Sequence, residues 1–514
     1  MHRSPLPRPR AGSPLAPAVG APLALACWAL AGLLVGACTP SLPGPGRAPA
    51  VSPRPGTPWT PPPPSPPAAE RPGQPGAPPG AELPADLAQR LRQLTIGDVV
   101  DLALRNNPAT REAWANARAA SAAYGVERGA YYPQLDAEMT VNRVKTAPTG
   151  GRVAVQQTVY GPAATLTWLL FDLGGRGGAV EAARQALLAA DWTHNATISD
   201  VVLGAQVAFY NYLATQALVA AQRATIQDAE ANLAAAQARR EVGVATIADV
   251  LQAQTALSQA RLAFETTEGQ RQTARGALAV ALGLPANVPY DIDSLSTPEP
   301  IGVVSDSVEA IIGRAVAGRP DLIAARASAA EAAARVRQAR GARLPSLAVT
   351  GTGGFTYLAG RSGGGSNYNV GVGLQLPLFN GFAREFQQRQ AEELADAAAA
   401  RARSLEQQVT YQVFTAYYAL QTANRRVRSA ADLMASAQQS LEVASARYKA
   451  GVGTVLDLLA AQSALADARA QQVQARLAWQ TSLAQLAHDA GALDERGGTS
   501  LRLTTDSLAP TPPR

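Results

Sequence analysis

Apolar and small residues recur at alternating steps of four and three along two long stretches that lack proline, residues 163–284 and 378–509. In the first stretch the series is Ile198, Val202, Ala205, Phe209, Tyr212, Gln216 and Val219. In the second stretch it is Val413, Tyr417, Leu420, Asn424, Val427, Ala431 and Met434. This is the heptad pattern of helices that pack as coiled coils. The small and polar members of each series predict a close approach of the helix axes.

Four shorter segments have a different pattern, in which apolar and polar residues alternate with a period of two. They span roughly residues 134–143, 163–172, 346–355 and 368–377. Gly-rich segments join them in pairs, so the pattern predicts two β-hairpins. Strands of about ten residues are long enough to cross a bilayer when they are tilted.

A sheet of four such strands cannot close into a barrel, and its open edges would leave backbone groups unsatisfied in hydrocarbon. We therefore expect copies of the chain to associate, two copies giving eight strands and three copies giving twelve. Aromatic residues lie near the expected strand ends, where an interfacial belt or packing at the helix–strand junction would place them. They are Tyr131, Tyr132, Trp168, Phe171 and Phe379.

The two halves of this body repeat one another. A shift of 208 residues aligns residues 239–261 with residues 447–469 and brings Asp249 onto Asp457. Each unit is predicted to contain a helix, a β-hairpin, a long helix and a further helix. The expected helices are 98–131, 174–241 and 246–283 in the first unit and 306–343, 382–450 and 454–490 in the second. In each unit the two shorter helices together match the long one, so we expect them to stack end to end beside it over about 100 Å.

The N-terminus has the features of an export signal. Arg3, Arg8 and Arg10 precede an apolar stretch that runs from Ala21 to Ala37. This is the order of regions in a signal peptide, and a stretch of this length, broken by Pro22, is too short to span a bilayer comfortably.

The apolar stretch ends in the sequence LVGAC at residues 34–38, which resembles the lipobox of bacterial lipoproteins. The resemblance implies that Cys38 becomes the lipidated first residue of the mature chain, carrying palmitate or a related acyl chain. Cleavage by the general signal peptidase, with Cys38 incidental, is the alternative. Thr39 would be the second residue of the mature chain, where an acidic residue retains lipoproteins at the inner membrane. A threonine there is compatible with sorting to the outer membrane.

The distribution of proline indicates where the disordered segments end and the folded repeats begin. Of the 38 prolines, 24 lie in the first 84 residues, which predicts a disordered, polyproline-like tether after the signal. The predicted organisation is a signal peptide at 1–37, the lipidated cysteine and Pro-rich tether at 38–84, a first repeat at 85–294, a second repeat at 295–492 and a disordered C-terminal tail at 493–514.

The sequence lacks the residue patterns that enzymes, metal-binding proteins and nucleic-acid-binding proteins require. Two cysteines and three histidines, which are far apart in sequence, offer neither a disulfide framework nor a metal centre, and no nucleophile and base stand together. The net charge of +6 is scattered rather than concentrated in a basic stripe, so no nucleic-acid partner is expected. The Gly-rich residues 174–178 lack the Lys and Ser/Thr of a phosphate loop. We therefore expect no enzyme activity, cofactor or metal.

The ordered set of features closely resembles the TolC-type outer-membrane efflux proteins, in particular their lipidated branch. The features are the lipobox, the duplicated helix and hairpin unit, and a motif written twice. The motif is GVATIADVLQAQTAL at 243–257 and GVGTVLDLLAAQSAL at 451–465. The resemblance covers residues 95–490 and leaves the tether and the tail outside.

The resemblance implies a mainly α-helical protein with a transmembrane β-barrel, in which a homotrimer forms a 12-stranded barrel on a long α-helical coiled-coil tunnel. The function that it implies is a passive duct of a tripartite efflux or type I secretion system in the outer membrane. A periplasmic adaptor, or membrane fusion protein, and an inner-membrane pump of the resistance-nodulation-division or ABC type would open it. A porin or receptor in outer-membrane lipid without a pump partner is the alternative.

The resemblance also implies a gate at the helix-turn tips around Gly243 and Gly451. Asp457 and Asp249 follow these glycines, and three copies of each would bring negative charges together in a narrow bore. The alternative is an ordinary first-turn aspartate that stabilises the start of a helix. Tyr448 keeps an aromatic residue of the family's closing network, and Leu456 is the candidate for an apolar ring. Two departures from the family pattern are Ala460, in place of a further aspartate, and Gly453, in place of an arginine.

Overall fold

The computed structural model describes residues 52, 54, 56–60, 95–146, 155–287, 302–361, 363–493, 498, 499, 501 and 503–505. All of them lie in the larger of the two units into which the chain divides, residues 50–69 and 73–514. The expected signal peptide, Cys38 and most of the tether lie outside the described residues. Among the helices of the described ranges, none is both long enough and apolar enough to cross a membrane.

The two repeats share one order of long elements, as the sequence repeat predicts. The first contains α1 (Ile96–Asn106), α2 (Pro108–Gly129), β1 (Gln134–Thr146), β2 (Val155–Phe171), α3 (Gly175–Glu241) and α4 (Ile247–Ala281). The second contains β3 (Gly302–Val304), α5 (Val308–Gly318), α6 (Pro320–Gly341), β4 (Ser346–Leu358), β5 (Gly364–Gln375), α7 (Ala383–Lys449), α8 (Val455–Asp489) and β6 (Leu503–Thr505). The predicted bounds of α3, α4, α7 and α8 are confirmed to within two residues.

The single helices predicted at 98–131 and 306–343 are wrong, because a proline breaks each of them. Asn107 and Arg319 precede these prolines and have extended backbones, with ψ of 127° and 124°. Proline disfavours helical backbone in the residue before it and has no N–H with which to continue a helix. Asn107 caps the new helix, since its side-chain oxygen accepts a hydrogen bond from the Ala109 N–H at 2.9 Å.

The shorter helices stack end to end beside the long helix of each repeat. In the first repeat, α1 and the end of α4 bury Val100 and Leu282 against Phe209 of α3. Gly283 follows α4 and lies so close to the end of α1 that an added Cβ would be 2.6 Å from the Asn106 carbonyl carbon. The second repeat builds an equivalent core from α5, α7 and α8. The stacking predicted from the helix lengths is therefore confirmed.

Burial follows the first predicted heptad series more closely than the second. Every apolar member of the first series is buried. In the second series Ala431 is exposed, and its neighbour Ala430 is buried instead. A straight helix has 3.6 residues per turn, so a strict 3.5-residue series drifts off the buried face along its length.

The four long strands form one antiparallel sheet in the order β1-β2-β4-β5. The hairpins of the two repeats are therefore joined through β2 and β4. The strands β1 and β5 are the two edges, and within the described chain each pairs on one side only. The strand pairs Thr146–Val155 and Tyr357–Gly364 lie at the end of the sheet opposite to the helices, which we call the hairpin end.

Part of the tether packs on the helices, so the prediction of disorder throughout residues 38–84 is wrong. Trp59 is buried, and its backbone exchanges two hydrogen bonds with the Asn195 side-chain amide, at 2.6 and 2.7 Å. Its ring meets Trp192 edge to face at 5.5 Å. The Trp114 indole N–H donates to the Ser52 carbonyl at 2.8 Å. We call residues 52, 54 and 56–60 the strap.

The C-terminal tail predicted to be disordered at 493–514 also contains ordered residues. Leu503–Thr505 pair antiparallel with Gly302–Val304, and Leu501 is buried against the core of the second repeat. Burial of this leucine and the pairing of backbone groups stabilise an ordered structure here, which the polar composition of the tail did not indicate.

Candidate functional site: the sheet faces and the helix tips

The sheet sorts its side chains by chemistry onto two faces. Directly opposed residues of antiparallel strands lie on the same face, which assigns every strand position from the register. The apolar face carries Leu135, Met139, Val141, Tyr160, Leu166, Trp168, Val349, Val370 and Val372. The polar face carries Asp136, Glu138, Thr140, Asn142, Thr165, Thr167, Thr350, Thr352 and Asn369. A lipid-facing exterior and a water-facing interior require this sorting in a membrane barrel.

The aromatic residues expected at the strand ends lie near the junction of sheet and helices. The Trp168 indole N–H donates to the Tyr131 carbonyl at 3.1 Å. The Arg176 guanidinium lies 4.3 Å from the centre of the Tyr131 ring. Tyr132, Phe171 and Phe379 are exposed. Packing at the junction, one of the two roles left open by the sequence, thus applies to Tyr131 and Trp168.

Each long helix ends in a tight turn, and we call these turns the first tip and the second tip. Gly243 in the first tip has a φ of 78°, and Gly451 in the second has a φ of 77°. This left-handed conformation favours glycine because a Cβ would clash with the backbone. In each turn the N–H of the next valine donates back to the helix, at 2.9 Å for Val244 and 3.0 Å for Val452.

Asp249 and Asp457 cap the helices that leave the two tips. The Thr246 N–H donates to the Asp249 carboxylate at 2.8 Å, and the Thr454 N–H donates to that of Asp457 at 3.2 Å. Both threonine side chains accept a hydrogen bond in return, which completes a reciprocal capping box. Hydrogen bonding with the Thr454 side chain and backbone holds the pKa of Asp457 below its usual value. Within one chain both aspartates therefore act as helix caps.

Tyr448 joins the second tip to the first. Its side chain is buried against Val455 and Leu458. Arg239, in the last turn of α3, donates from Nη1 to the Tyr448 carbonyl at 2.7 Å, and its guanidinium lies 4.6 Å from the centre of the Tyr448 ring. We call this pair of contacts the tip latch. The sequence analysis missed Arg239, and its only local signal is an arginine in the last turn of a helix, where a cation is favourable.

Both tips expose large apolar side chains. The Leu456 side chain is 63% exposed, and Val242, Val244 and Val452 are exposed beside the turns. Leu456 is thus available for contact with another molecule or another copy. Gly453 is crowded, because an added Cβ would lie 3.1 Å from the Arg447 Cβ and from the Tyr448 nitrogen. A larger residue at position 453 would therefore require its neighbours to shift by a few tenths of an ångström.

A partly buried ionic cluster, in which Asp200 is exposed, connects the repeats far from the tips. The His488 imidazole hydrogen-bonds Asp200 of α3 at 2.8 Å and Asp489 at 3.0 Å. Burial alone would lower the pKa of His488, but these two hydrogen bonds outweigh it and raise the pKa to about 9. Arg319 donates to Asp321 at 2.9 Å and lies 3.8 Å from the Asp489 carboxylate. Among the residues that the structure describes, no group of His, Cys, Asp or Glu is arranged to hold a metal ion.

Comparison with known proteins assigns this architecture to a family. A family model described as outer membrane efflux protein matches residues 99–284 and 311–492. Protein CyaE of Bordetella pertussis is 30% identical over 475 residues, which cover 88% of this chain and 91% of the relative. Outer membrane protein OprJ of Pseudomonas aeruginosa is 29% identical over 375 residues, which cover 71% and 77%. The crystal structure of a membrane protein from Pseudomonas aeruginosa matches with a TM-score of 0.70 at 27% identity and covers 83% of this chain and 99% of that one. The chain therefore belongs to the outer membrane efflux protein family, the TolC-like channels of the outer membrane.

Proposed function

We propose that three copies of this chain form a passive duct, with a 12-stranded barrel in the outer membrane and a helical tunnel in the periplasm. The observation that carries the proposal is the four-stranded sheet, which has one polar face, one apolar face and two edges without a second partner in the described chain. Each edge presents backbone groups that hydrocarbon cannot satisfy, so β5 of one copy must pair with β1 of the next. A coiled-coil section of about 100 Å has no use in a simple porin.

Disulfide cross-linking between the edge strands tests the closed ring. Within one chain β1 and β5 are three strand spacings apart, about 14 Å, whereas a disulfide needs Cα atoms within about 7 Å. Met139→Cys combined in turn with Tyr368→Cys, Val370→Cys or Val372→Cys should therefore link only different copies. We expect covalent dimers and trimers on a non-reducing gel for at least one pair.

The matched control for this experiment is Thr165→Cys with Thr352→Cys, which are directly opposed within one sheet. This pair should oxidise without forming any covalent oligomer. Monomer alone for all three edge pairs, with the control pair oxidised, would contradict the trimeric barrel.

We propose that the duct is part of a tripartite efflux or type I secretion system, with a periplasmic adaptor and an inner-membrane pump as partners. The exposed apolar surface at the tips, around Leu456 and Val452, supports docking of an adaptor at the end of the tunnel. Leu456→Asp with Val452→Asp should abolish export in cells while leaving the trimer intact. Export at the wild-type level by this variant would exclude the tips as the docking surface.

We propose that the tips also form the gate, with three copies of Asp457 converging on the axis and Tyr448 and Leu456 beside them. Because Asp457 is a helix cap, Asp457→Asn is the sharper variant, since its amide oxygen can still accept the Thr454 N–H bond. We expect it to reduce cation preference and block by trivalent cations in planar bilayers, with Asp249→Asn changing selectivity less. Unchanged selectivity and block in Asp457→Asn would leave helix capping as the whole role of Asp457.

We propose that Cys38 is lipidated and that the mature chain begins there, as the lipidated branch of the family does. The sequence at residues 34–38 supports this, and 13 residues separate Cys38 from Ser52 of the strap, enough to reach about 45 Å. Mass spectrometry of the mature N-terminus should find an acylated Cys38, and a free N-terminus at another residue would contradict it. Cys38→Ser should reduce membrane retention only partly, because the barrel also anchors the chain.

A further inference from the structure

Three cations lie together at the hairpin end of the sheet, and we call Arg143, Lys145 and Arg361 the basic rim. All three are exposed. Arg143 and Arg361 line one open pocket with Gln156 and Thr158. The Gln156 amide, placed with its oxygen toward Arg143, accepts hydrogen bonds from the Arg143 guanidinium at 2.9 and 3.1 Å. The position of the Arg143 fork is therefore fixed by a neighbouring strand.

The register places Arg143 and Lys145 of the basic rim on the apolar face and not on the polar one, and Arg361, in the turn after β4, lines the same pocket as Arg143. Val141 is opposite Tyr160, which is opposite Tyr357, so these three form one row of the apolar face. The two tyrosine rings stack at 5.6 Å. Arg143 follows Val141 by two residues on the same face, about 7 Å farther along the strand. Moving outward along this face, apolar residues give way to an aromatic pair and then to cations.

The positive charge of the rim has no acidic neighbour on its own face of the sheet. In the described strands of the two hairpins the acidic residues are Asp136 and Glu138, which lie on the polar face and precede Arg143 by at least five residues. No carboxylate of the described strands is therefore placed to neutralise these cations. An anionic partner from outside the hairpins would meet three positive charges per copy and nine around a trimer.

The order of residues on this face identifies the partner. Tyrosine pairs mark the level where hydrocarbon meets headgroups, and basic residues just beyond it attract anionic lipid headgroups. A guanidinium fork matches the geometry of a phosphate oxygen pair. Because the helices are at the other end of the sheet, the rim lies in the outer leaflet if the helical end is periplasmic. We propose that the basic rim binds the phosphate groups of the phosphorylated glycolipid of that leaflet, lipopolysaccharide, a proposal that rests on the proposed barrel.

Binding of lipid A to the purified full-length trimer in detergent tests the proposal. The variant carries Arg143→Gln, Lys145→Gln and Arg361→Gln. Each cation near an anionic surface contributes roughly fivefold to affinity, so the variant should bind bisphosphorylated lipid A roughly 100-fold more weakly. Binding of the same lipid without its phosphates should be weak and equal for both proteins. Native mass spectrometry counts the bound lipids at each concentration.

The matched control removes three cations from exposed ion pairs of the helical part, with Arg105→Gln, Arg261→Gln and Arg326→Gln. This control should bind lipid A as the unmodified protein does. Equal binding by the rim variant and the control would overturn the proposal. So would displacement of lipid A by millimolar inorganic phosphate, which would indicate a site for free anions.

Pore measurements separate this inference from the proposed function. The rim variant should keep the trimer mass, the conductance and the ion selectivity of the unmodified channel, because its cations face lipid. A change of ion selectivity would place the cations in the lumen and overturn the proposal even with the barrel intact. If the unmodified protein itself formed no trimer and showed no conductance, the barrel would be contradicted instead.

Discussion

Replacing Arg239 with Ala tests whether the tip latch holds the duct closed. Arg239 donates a hydrogen bond of 2.7 Å to the Tyr448 carbonyl and lies 4.6 Å from the centre of its ring. A hydrogen bond from a charged donor contributes about 2 kcal/mol, and a cation–π contact contributes about 0.5–1 kcal/mol. If the tips separate on opening, loss of both contacts shifts the equilibrium toward the open state by about 2–3 kcal/mol, or roughly 30- to 150-fold.

Single-channel recording in planar bilayers measures this shift as open probability at zero adaptor. Arg240→Ala is the matched control, since Arg240 is the exposed neighbour in the same last turn. Arg239→Lys keeps the charge but loses the planar fork, so we expect an intermediate open probability. If Arg239→Ala opens no more often than Arg240→Ala while both trimers remain intact, the latch does not control the gate.

Three further predictions concern the rest of the chain. The charged form of His488 stabilises the fold fully below its ordinary pKa of 6.5, and about 3 kcal/mol of this is lost as the pH rises through about 9. His488→Gln should flatten the resulting fall in Tm between pH 7 and pH 10, and a fall parallel to that of the unmodified protein would contradict this. Asn195→Ala removes both hydrogen bonds to the strap and should speed hydrogen–deuterium exchange of the Trp59 amide roughly 30-fold, whereas an unchanged rate would show that the bonds do not hold the strap. Gly161→Ala places a Cβ against the Phe355 carbonyl oxygen and should lower the yield of folded trimer severalfold on a semi-native gel, whereas an unchanged yield would mean that β2 and β4 can separate there.

Much of the fold could be predicted because it depends on local periodicity and on duplication. The alternation of strand residues and the heptads of the helices are properties of neighbouring residues. The helix breaks before Pro108 and Pro320 depend on equally local signals. The prediction of uninterrupted helices gave these prolines too little weight against the helical periodicity around them. The ordered conformation of the strap could not be predicted, because its proline content indicates only what the segment does in isolation, where it favours an extended and disordered chain. Its docking depends on Asn195, which is 136 residues away from Trp59.

The candidate site could likewise be predicted only where it depends on local sequence. The tip glycines and the first-turn aspartates stand in a repeated local motif, and a threonine three residues before each aspartate was a readable capping signal. The tip latch joins residues that are 209 positions apart, and no local pattern pairs them. A gate made by three copies is a property of the assembly, so neither one sequence nor one chain determines where three Asp457 side chains meet.

The differences between the two repeats explain why the tip latch joins unlike partners. The shift of 208 residues that aligns the tips places Arg239 on Arg447 and Arg240 on Tyr448. At these two positions the first repeat has two arginines, and the second has an arginine and a tyrosine. Only the second tip can offer an aromatic ring to an arginine of the other, so the latch has no symmetrical counterpart. Ala245 has a Cβ at the equivalent position, whereas a Cβ at Gly453 would lie 3.1 Å from the Arg447 Cβ and from the Tyr448 nitrogen. Duplication therefore supplies two tips of equal length, and substitution at these few positions makes one of them the acceptor of the latch.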